Sequence, residues 1–251
     1  MNADEFRRAM LYLPEPPGDS LPPYWEYWRH DLWQRGRSQS VESFMAWPCI
    51  FHTMLVNHFP IGDQLAYLQQ DDWKKWSKVV ADPGSESNQR NLINQAYHLA
   101  LWERTTGQRV DDLSNIHEFG GGYGAMALVA NRAGFTGKYF ITDLPEFELL
   151  QRWWLDQQGI EASWTDLPGS ADLFIALYSL SETPNNVKWY WVDEMGANSY
   201  LVLYSPQFAE HDNGELARRI VAKNEQINHW SDVKFPGRPD RYLIGYAGQP
   251  V

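Results

Sequence analysis

The sequence predicts a doubly wound α/β fold with a helical N-terminal region, and three observations carry that prediction. After about residue 110, short β-rich runs alternate with helical stretches, which implies parallel strands joined by right-handed crossovers. The first run, Ile116-His117-Glu118-Phe119, opens into Gly120-Gly121-Gly122-Tyr123-Gly124 and then a helix. The second run ends at Thr142 and is followed by Asp143, a carboxylate about twenty residues beyond the glycines. A doubly wound sheet builds a nucleoside site in this way, at the carboxyl ends of its strands.

In chain order, 14–23 is proline-rich and reads as an extended surface segment. From Ser40, the residues Val41, Phe44, Met45, Phe51, Leu55, Val56 and Phe59 recur at helical spacing. Pro48 interrupts them, giving one kinked helix or two short ones. Ile61, Leu65, Leu68, Trp73, Trp76 and Val80 continue the helical reading, and Asp82-Pro83-Gly84-Ser85 marks a turn. The segment 88–104 carries Leu92, Ile93, Ala96, Leu99 and Ala100 on one face and stops near Gly107. Residues 1–110 are thus expected to form a helical cap that shapes the substrate region, and 111–251 a Rossmann-like domain.

Strands are expected at 116–119, 139–142, 160–164, 173–178 and 200–204, with two more near 232–235 and 242–246. Small residues over 125–133 predict one intervening helix, and 147–158 another.

Composition narrows the function classes. A net charge of −11 argues against a general nucleic-acid binder, which needs a cationic surface, and leaves room for a local basic patch. One cysteine, Cys49, excludes an intrachain disulfide and a cysteine zinc site and suits a reducing cytoplasm. The N-terminal residues have no signal-peptide pattern, and the apolar run 173–180 is too short to span a bilayer. A small-molecule or glycan acceptor is the expected partner, with no nucleic acid and no membrane insertion. Oligomeric state is left open. No metal is expected, because Asp71-Asp72 and Asp111-Asp112 read as solvated turns.

Gly120, Gly122 and Gly124 permit positive φ and remove the Cβ atoms that would hold a ligand off the backbone. Asp143 can accept hydrogen bonds from ribose hydroxyls, or cap the helix that begins near Pro145. Gly122-x-Gly124-x-x-Ala127 also satisfies the dinucleotide fingerprint. Glu118 argues against a dinucleotide, since that strand position is normally apolar there. An anion in a buried strand suits a ligand carrying an ammonium and a sulfonium, and is costly without a partner. Lys138 and Arg132 are alternative partners in an ordinary salt bridge.

Three motifs, Glu-Phe-Gly-Gly-Gly-Tyr-Gly at 118–124, Thr-Asp-Leu-Pro-Glu at 142–146 and Leu-Tyr-Ser-Leu-Ser-Glu-Thr-Pro at 177–184, together resemble the class I methyltransferases. Within that class the chain is most similar to the sugar O-methyltransferases associated with bacterial surface glycans, over roughly 115–205. The resemblance implies S-adenosylmethionine as cofactor and a seven-stranded, mostly parallel sheet. Glu118, Gly120, Gly122 and Gly124 would line the methionine part of the donor. Asp143 would hold the ribose and Leu144 would pack near the adenine. Asp166 would meet the adenine amino group, although Asp166-Leu167-Pro168-Gly169 also reads as a plain turn.

Methylating a hydroxyl needs a base for its proton. Ser179, Ser181 and Glu182 follow the fourth strand, where an acceptor approaches. Glu182 could take the proton, orient the sugar, or cap the helix after Thr183-Pro184. His211, after the fifth strand, is the histidine best placed by topology. His98 either faces the site or belongs to the core, and His229 is a weaker candidate. Trp25, Trp28, Trp33, Trp73 and Trp76 either stack on sugar rings or anchor helices. The alternatives are a small aromatic or natural-product hydroxyl as acceptor, an NAD(P)-dependent oxidoreductase, and a non-catalytic donor-binding partner subunit.

Overall fold

The computed structural model describes residues 1–17, 23–55, 61–81, 86–167, 169–208 and 211–248. The expected turn at 82–85, together with Val56 and Phe59, lies outside them. The chain forms two compact units. One comprises Met1–Tyr97, Gly121–Ala133 and Asp143–Ala162, the other His98–Gly120, Gly134–Thr142 and Ser163–Val251.

The second unit is built on a seven-stranded sheet. Its strands are β1 (Asn115–Phe119), β2 (Lys138–Thr142), β3 (Ser163–Trp164), β4 (Ser170–Leu177), β5 (Gly196–Tyr204), β8 (His229–Lys234) and β9 (Arg241–Tyr246). Their order is β3-β2-β1-β4-β5-β9-β8. The first five run parallel, and β9 pairs antiparallel with both β5 and β8. The Rossmann-like sheet expected from the alternation is therefore borne out, strand for strand. The chain moves outward from β1 to β3 and then returns to β4 on the other side of β1. The topological switch point therefore lies between β1 and β4. Each of these two strands has neighbours on both sides, and β1 is buried from Ile116 to Phe119. Edge strand β8 alternates towards polar and exposed positions instead.

Several strand boundaries differ from expectation, β4 starting at Ser170 and β8 at His229, each three residues early. The third strand shrinks to two residues, pairing only Phe140↔Ser163 and Ile141↔Trp164. The fifth begins at Gly196 because β4 and β5 pair from Ser170↔Gly196 onward. Helices α9 (Ser179–Glu182), α10 (Asn185–Glu194) and α11 (Gly214–Lys223) belong to this unit, as does the short hairpin β6 (Gln207–Phe208) with β7 (His211–Asp212). Phe174, Trp191, Tyr200, Val202, Leu216 and Ile220 form its core.

The first unit is helical: α1 (Ala3–Tyr12), α2 (Pro23–Ser38), α3 (Pro48–Ile50), α4 (Ile61–Gln70), α5 (Trp73–Val79), the start of α6 (Glu86–Thr106), α7 (Ala125–Arg132) and α8 (Pro145–Gln157). A capping box starts α1: Glu5 N–H donates to Asn2 Oδ1 at 2.9 Å, and Asn2 N–H donates to Glu5 Oε2 at 2.8 Å. Helix α2 opens on Pro23, at the end of the segment read as extended; proline suits a first helical position. The helical run around Pro48 breaks into a 3-10 turn (Val41–Ala46), α3 and a π turn (Phe51–Leu55). The run from Ile61 to Val80 divides at Asp72, which caps α5 by accepting from Lys75 N–H at 3.1 Å. Phe6, Met10, Phe44, Trp47, Tyr123, Phe147 and Trp153 pack into one core.

No helix among the described residues is long and apolar enough to cross a membrane.

Candidate functional site

At the carboxyl end of β1, Glu118 is 4% exposed and accepts a 2.8 Å hydrogen bond from the Tyr139 hydroxyl. The register pairs Glu118 with Ile141, so Tyr139, two residues earlier on β2, is its diagonal neighbour on the same face. Burial, reinforced by the adjacent Glu118 charge, holds the Tyr139 phenol well above the usual tyrosine range. Glu118 is thus a buried carboxyl group facing a phenol that stays protonated.

Gly120 follows, with φ 78°, its N–H donating to Thr142 O at 2.7 Å. A Cβ on Gly120 would lie 2.7 Å from Ser179 Oγ and closer still to Ser179 Cβ. Ser179 in turn donates its hydroxyl to Phe119 O. The β4-to-α9 turn that carries Ser179 is itself unusual. Tyr178 has φ 67° and ψ −40°, the one positive-φ residue other than glycine among the described residues. A bulky residue in that region is strained and is held there by its surroundings. Its hydroxyl donates to Asp240 at 3.0 Å, and Asp240 is paired with Arg238 at 3.1 Å. Glu182 ends α9, with its N–H bonded to Tyr178 O at 3.1 Å and its charge felt at the Tyr178 phenol. The N-cap position of α10 is Pro184, which makes no side-chain hydrogen bond.

In the other unit the glycine loop continues through Gly122 (φ 59°) and Gly124 (φ 94°). Asp143 Oδ2 accepts from Gly122 N–H at 3.0 Å and from Gln151 Nε2 at 2.7 Å, and Oδ1 accepts from Leu144 N–H at 2.8 Å. Gln151 Nε2 also lies 2.9 Å from Gly122 O, clamping the loop. A carboxylate offers about four lone-pair directions, so these three bonds leave room for one more donor. Burial pushes the Asp143 carboxyl up to about 7, with Glu146 adding to the rise, against the lowering effect of the three hydrogen bonds. Asp143 does not cap α8 through its side chain, since the N-cap position is Leu144. Leu144 packs against the aromatic core of this unit.

Asp166 is exposed, in the bend after β3. His211 lies on β7 opposite Phe208, and its side chain is outside the described atoms. His98 belongs to the core: it is 1% exposed, shares a 2.7 Å hydrogen bond with the Tyr242 hydroxyl, and burial lowers its pKa to about 3. His229 stacks on Tyr246 at the start of β8. His117, which precedes Glu118, is also buried, bonded to Thr142 Oγ1 at 3.0 Å and lowered to about 4. Both buried histidines are therefore neutral near pH 7. Among the described residues, no group of three or more His, Cys, Asp or Glu is arranged to hold a metal. Of the tryptophans, Trp76 is fully buried with its indole N–H on Asp71, Trp25 meets Phe147 edge-on, and Trp73 is exposed.

Sequence reasoning missed Tyr139, Gln151 and Arg29. Period-two facing on β2 could have found Tyr139, and helical spacing from Asp143 could have suggested Gln151. Arg29 donates to Glu146 from Nε at 2.9 Å and Nη2 at 3.2 Å, across a sequence separation of 117, and no local signal marks it.

No family model and no curated protein matches this chain. Among solved structures it is similar to magnesium protoporphyrin IX methyltransferase (ChlM) from Synechocystis PCC 6803 with bound SAM. That likeness has 12% identity and a TM-score of 0.48, covering 77% of this chain and 99% of the other. Mitomycin 7-O-methyltransferase MmcR is similar at 11% identity and TM-score 0.48, covering 88% of this chain and 75% of its own. The S-adenosylmethionine-dependent methyltransferase SibL, in its apo form, is similar at 13% identity and TM-score 0.46, covering 89% and 74% respectively. Likenesses this distant carry no argument about chemistry, which rests on the residues above.

Proposed function

We propose that this chain is an S-adenosylmethionine-dependent methyltransferase acting on a sugar hydroxyl in glycan biosynthesis. The observation that carries the reading is Glu118: a carboxyl group 4% exposed, at the carboxyl end of a central parallel strand, beside the switch point and directly before the glycine loop. When bound, S-adenosylmethionine supplies an electrophilic methyl group on a sulfonium. Glu118 offsets the ammonium and sulfonium charge in a setting where water cannot. Gly120, Gly122 and Gly124 let the backbone approach the methionine part, Asp143 accepts from the ribose, Leu144 packs on the adenine and Asp166 receives its amino group. Glu182 takes the proton from the acceptor hydroxyl, with His211 as the second candidate base. Cys49, free and buried, is in keeping with a cytoplasmic protein.

Calorimetric titration with S-adenosylhomocysteine tests the donor assignment, with nicotinamide dinucleotides as parallel ligands. Asp143 supplies a specific signature. Ribose hydroxyls donate to the ionised carboxylate, while the free protein holds this proton up to about pH 7. Affinity for S-adenosylhomocysteine is therefore expected to rise about tenfold between pH 6 and pH 8, with proton release on binding. Asp143→Asn removes the pH dependence, and Asp143→Ala weakens binding about tenfold or more. Stability of the free protein runs the other way. The carboxyl is raised from 3.8 when folded, so its contribution is full below about pH 4 and is lost as pH rises through about 7. A flat affinity profile would remove the ribose role, and binding of a dinucleotide alone would make the chain an oxidoreductase candidate.

The base assignment has its own test. Glu182→Gln is expected to lower kcat about a hundredfold or more while leaving S-adenosylhomocysteine affinity unchanged. If turnover is indifferent to changes at both Glu182 and His211, the non-catalytic reading prevails.

A further inference from the structure

Asparagine is a poor helix former and a costly core residue. Yet α6 carries Asn88, Asn91 and Asn94 at three-residue spacing, each 3% exposed. The first two are satisfied through one phenol: the Tyr123 hydroxyl donates to Asn88 Oδ1 at 2.7 Å and accepts from Asn91 Nδ2 at 2.7 Å. This ties α6 to the glycine loop, where Tyr123 resides. Asn94 has a different partner. Its Oδ1 accepts at 2.7 Å from Nε2 of Gln64 on α4, a side chain with 0% exposure.

The Gln64 Oε1 atom, held by this bond and fully buried, has no hydrogen-bond partner. The Oε1 atom of Gln95, the residue after Asn94, is likewise buried and unpartnered, while its Nε2 reaches Asn91 only at 3.5 Å. Buried acceptors without donors oppose folding, and an apolar pair of the same shape would avoid that cost. A ligand bringing hydrogen-bond donors would satisfy both carbonyls. Every member of the cluster is neutral, which disfavours a phosphate or carboxylate; its open carbonyls take O–H or N–H donors, and a polyhydroxylated ligand supplies several at once.

We propose that the Gln64 and Gln95 carbonyls accept hydrogen bonds from hydroxyls of a neutral polyhydroxylated ligand, making this amide cluster the acceptor-recognition site. The assignment rests on the methyltransferase reading for the word acceptor. Its physical core, a polyol site in the helical unit beside Tyr123, does not. Asn88 and Asn91 fix Tyr123, so recognition and the donor loop share one hydrogen-bonded frame within that unit.

The test compares wild type with Gln64→Leu/Asn94→Leu, which removes both partners of the buried amide bond together with the open carbonyl. The probes are methyl glycosides of glucose, mannose, galactose and rhamnose, titrated with and without S-adenosylhomocysteine. Thermal unfolding is followed in parallel. The expected result is saturable binding of at least one glycoside to wild type, weakened at least tenfold in the variant. Its melting temperature should be unchanged or raised, and its S-adenosylhomocysteine affinity should stay within about twofold of wild type. Equal glycoside binding to both proteins, or binding to neither, overturns the proposal. If the double variant does not fold, Gln95→Leu gives the same readout while breaking only one long contact. Wild type that binds a glycoside but not S-adenosylhomocysteine would sink the methyltransferase reading and leave the polyol site standing.

Discussion

Replacing Arg29 by alanine is expected to lower the melting temperature by roughly 10 °C and to move the pH profile of donor binding upward. Arg29 and Glu146 are 9% and 2% exposed and form a two-pronged ion pair between α2 and the first turn of α8. Removing one partner of such a pair leaves the other charge buried and uncompensated, at a cost of about 3–5 kcal/mol. In a chain of this length each kcal/mol corresponds to about 2–4 °C. The effect on binding comes from the same charge. Glu146 already pushes the Asp143 carboxyl upward, and without the guanidinium its field is no longer offset. Asp143 then ionises at higher pH, so the rise in S-adenosylhomocysteine affinity shifts in the same direction. Replacing both partners by apolar groups, as in Arg29→Met/Glu146→Leu, should restore most of the stability and shift the profile below that of wild type. Thermal unfolding across a double-mutant cycle, with titrations at pH 6, 7 and 8, checks each part. An Arg29→Ala variant with an unchanged melting temperature would show that the pair contributes nothing net.

Much of the sheet was legible because its strands are short apolar runs, rich in β-branched and aromatic residues, between turn-forming residues. Ile116 to Phe119 and Tyr139 to Thr142 were placed within a residue of their ends. The starts of β4 and β5 were not, because Ser170, Asp172, Gly196 and Asn198 are polar or glycine and join the sheet through register, not hydrophobicity. Pro23 illustrates a different failure: proline ends extended segments and also begins helices, and only the following turn decides. Of the candidate site, the glycines and Asp143 were visible through backbone requirements that few residue types meet. Arg29, Gln64 and the asparagines of α6 were not, since their partners lie 30 or more residues away in the chain. The strain at Tyr178 was hidden for another reason, because tyrosine gives no sign of a positive φ.

Replacing Gly120 by alanine is expected to cost more than about 4 kcal/mol, the exceptional end of the range for one substitution, and to abolish measurable S-adenosylhomocysteine binding. The φ of 78° alone accounts for about 1–2 kcal/mol in a residue with a side chain. The larger part is overlap with Ser179, whose Cβ and Oγ occupy the space a methyl group needs. Neither side can give way. Gly120 is held by its 2.7 Å bond to Thr142 O, and Ser179 is held by its bond to Phe119 O and by the strained turn at Tyr178. Gly122 provides the contrast: its φ is also positive, but an added Cβ there would meet only the end of the flexible Met54 side chain, at 3.0 Å. Gly122→Ala should therefore destabilise far less than Gly120→Ala, by about 1–2 kcal/mol. Ser179→Gly should rescue Gly120→Ala in part, because it removes the overlap and leaves only the backbone cost. Denaturant unfolding of the three single variants and the rescue pair measures these terms separately. Equal losses at Gly120 and Gly122 would mean that backbone conformation dominates and that the close approach of Ser179 is not needed. A rescue that restores both stability and donor binding would instead tie the strained β4 turn to the shape of the glycine loop, making Tyr178 part of how the donor is positioned.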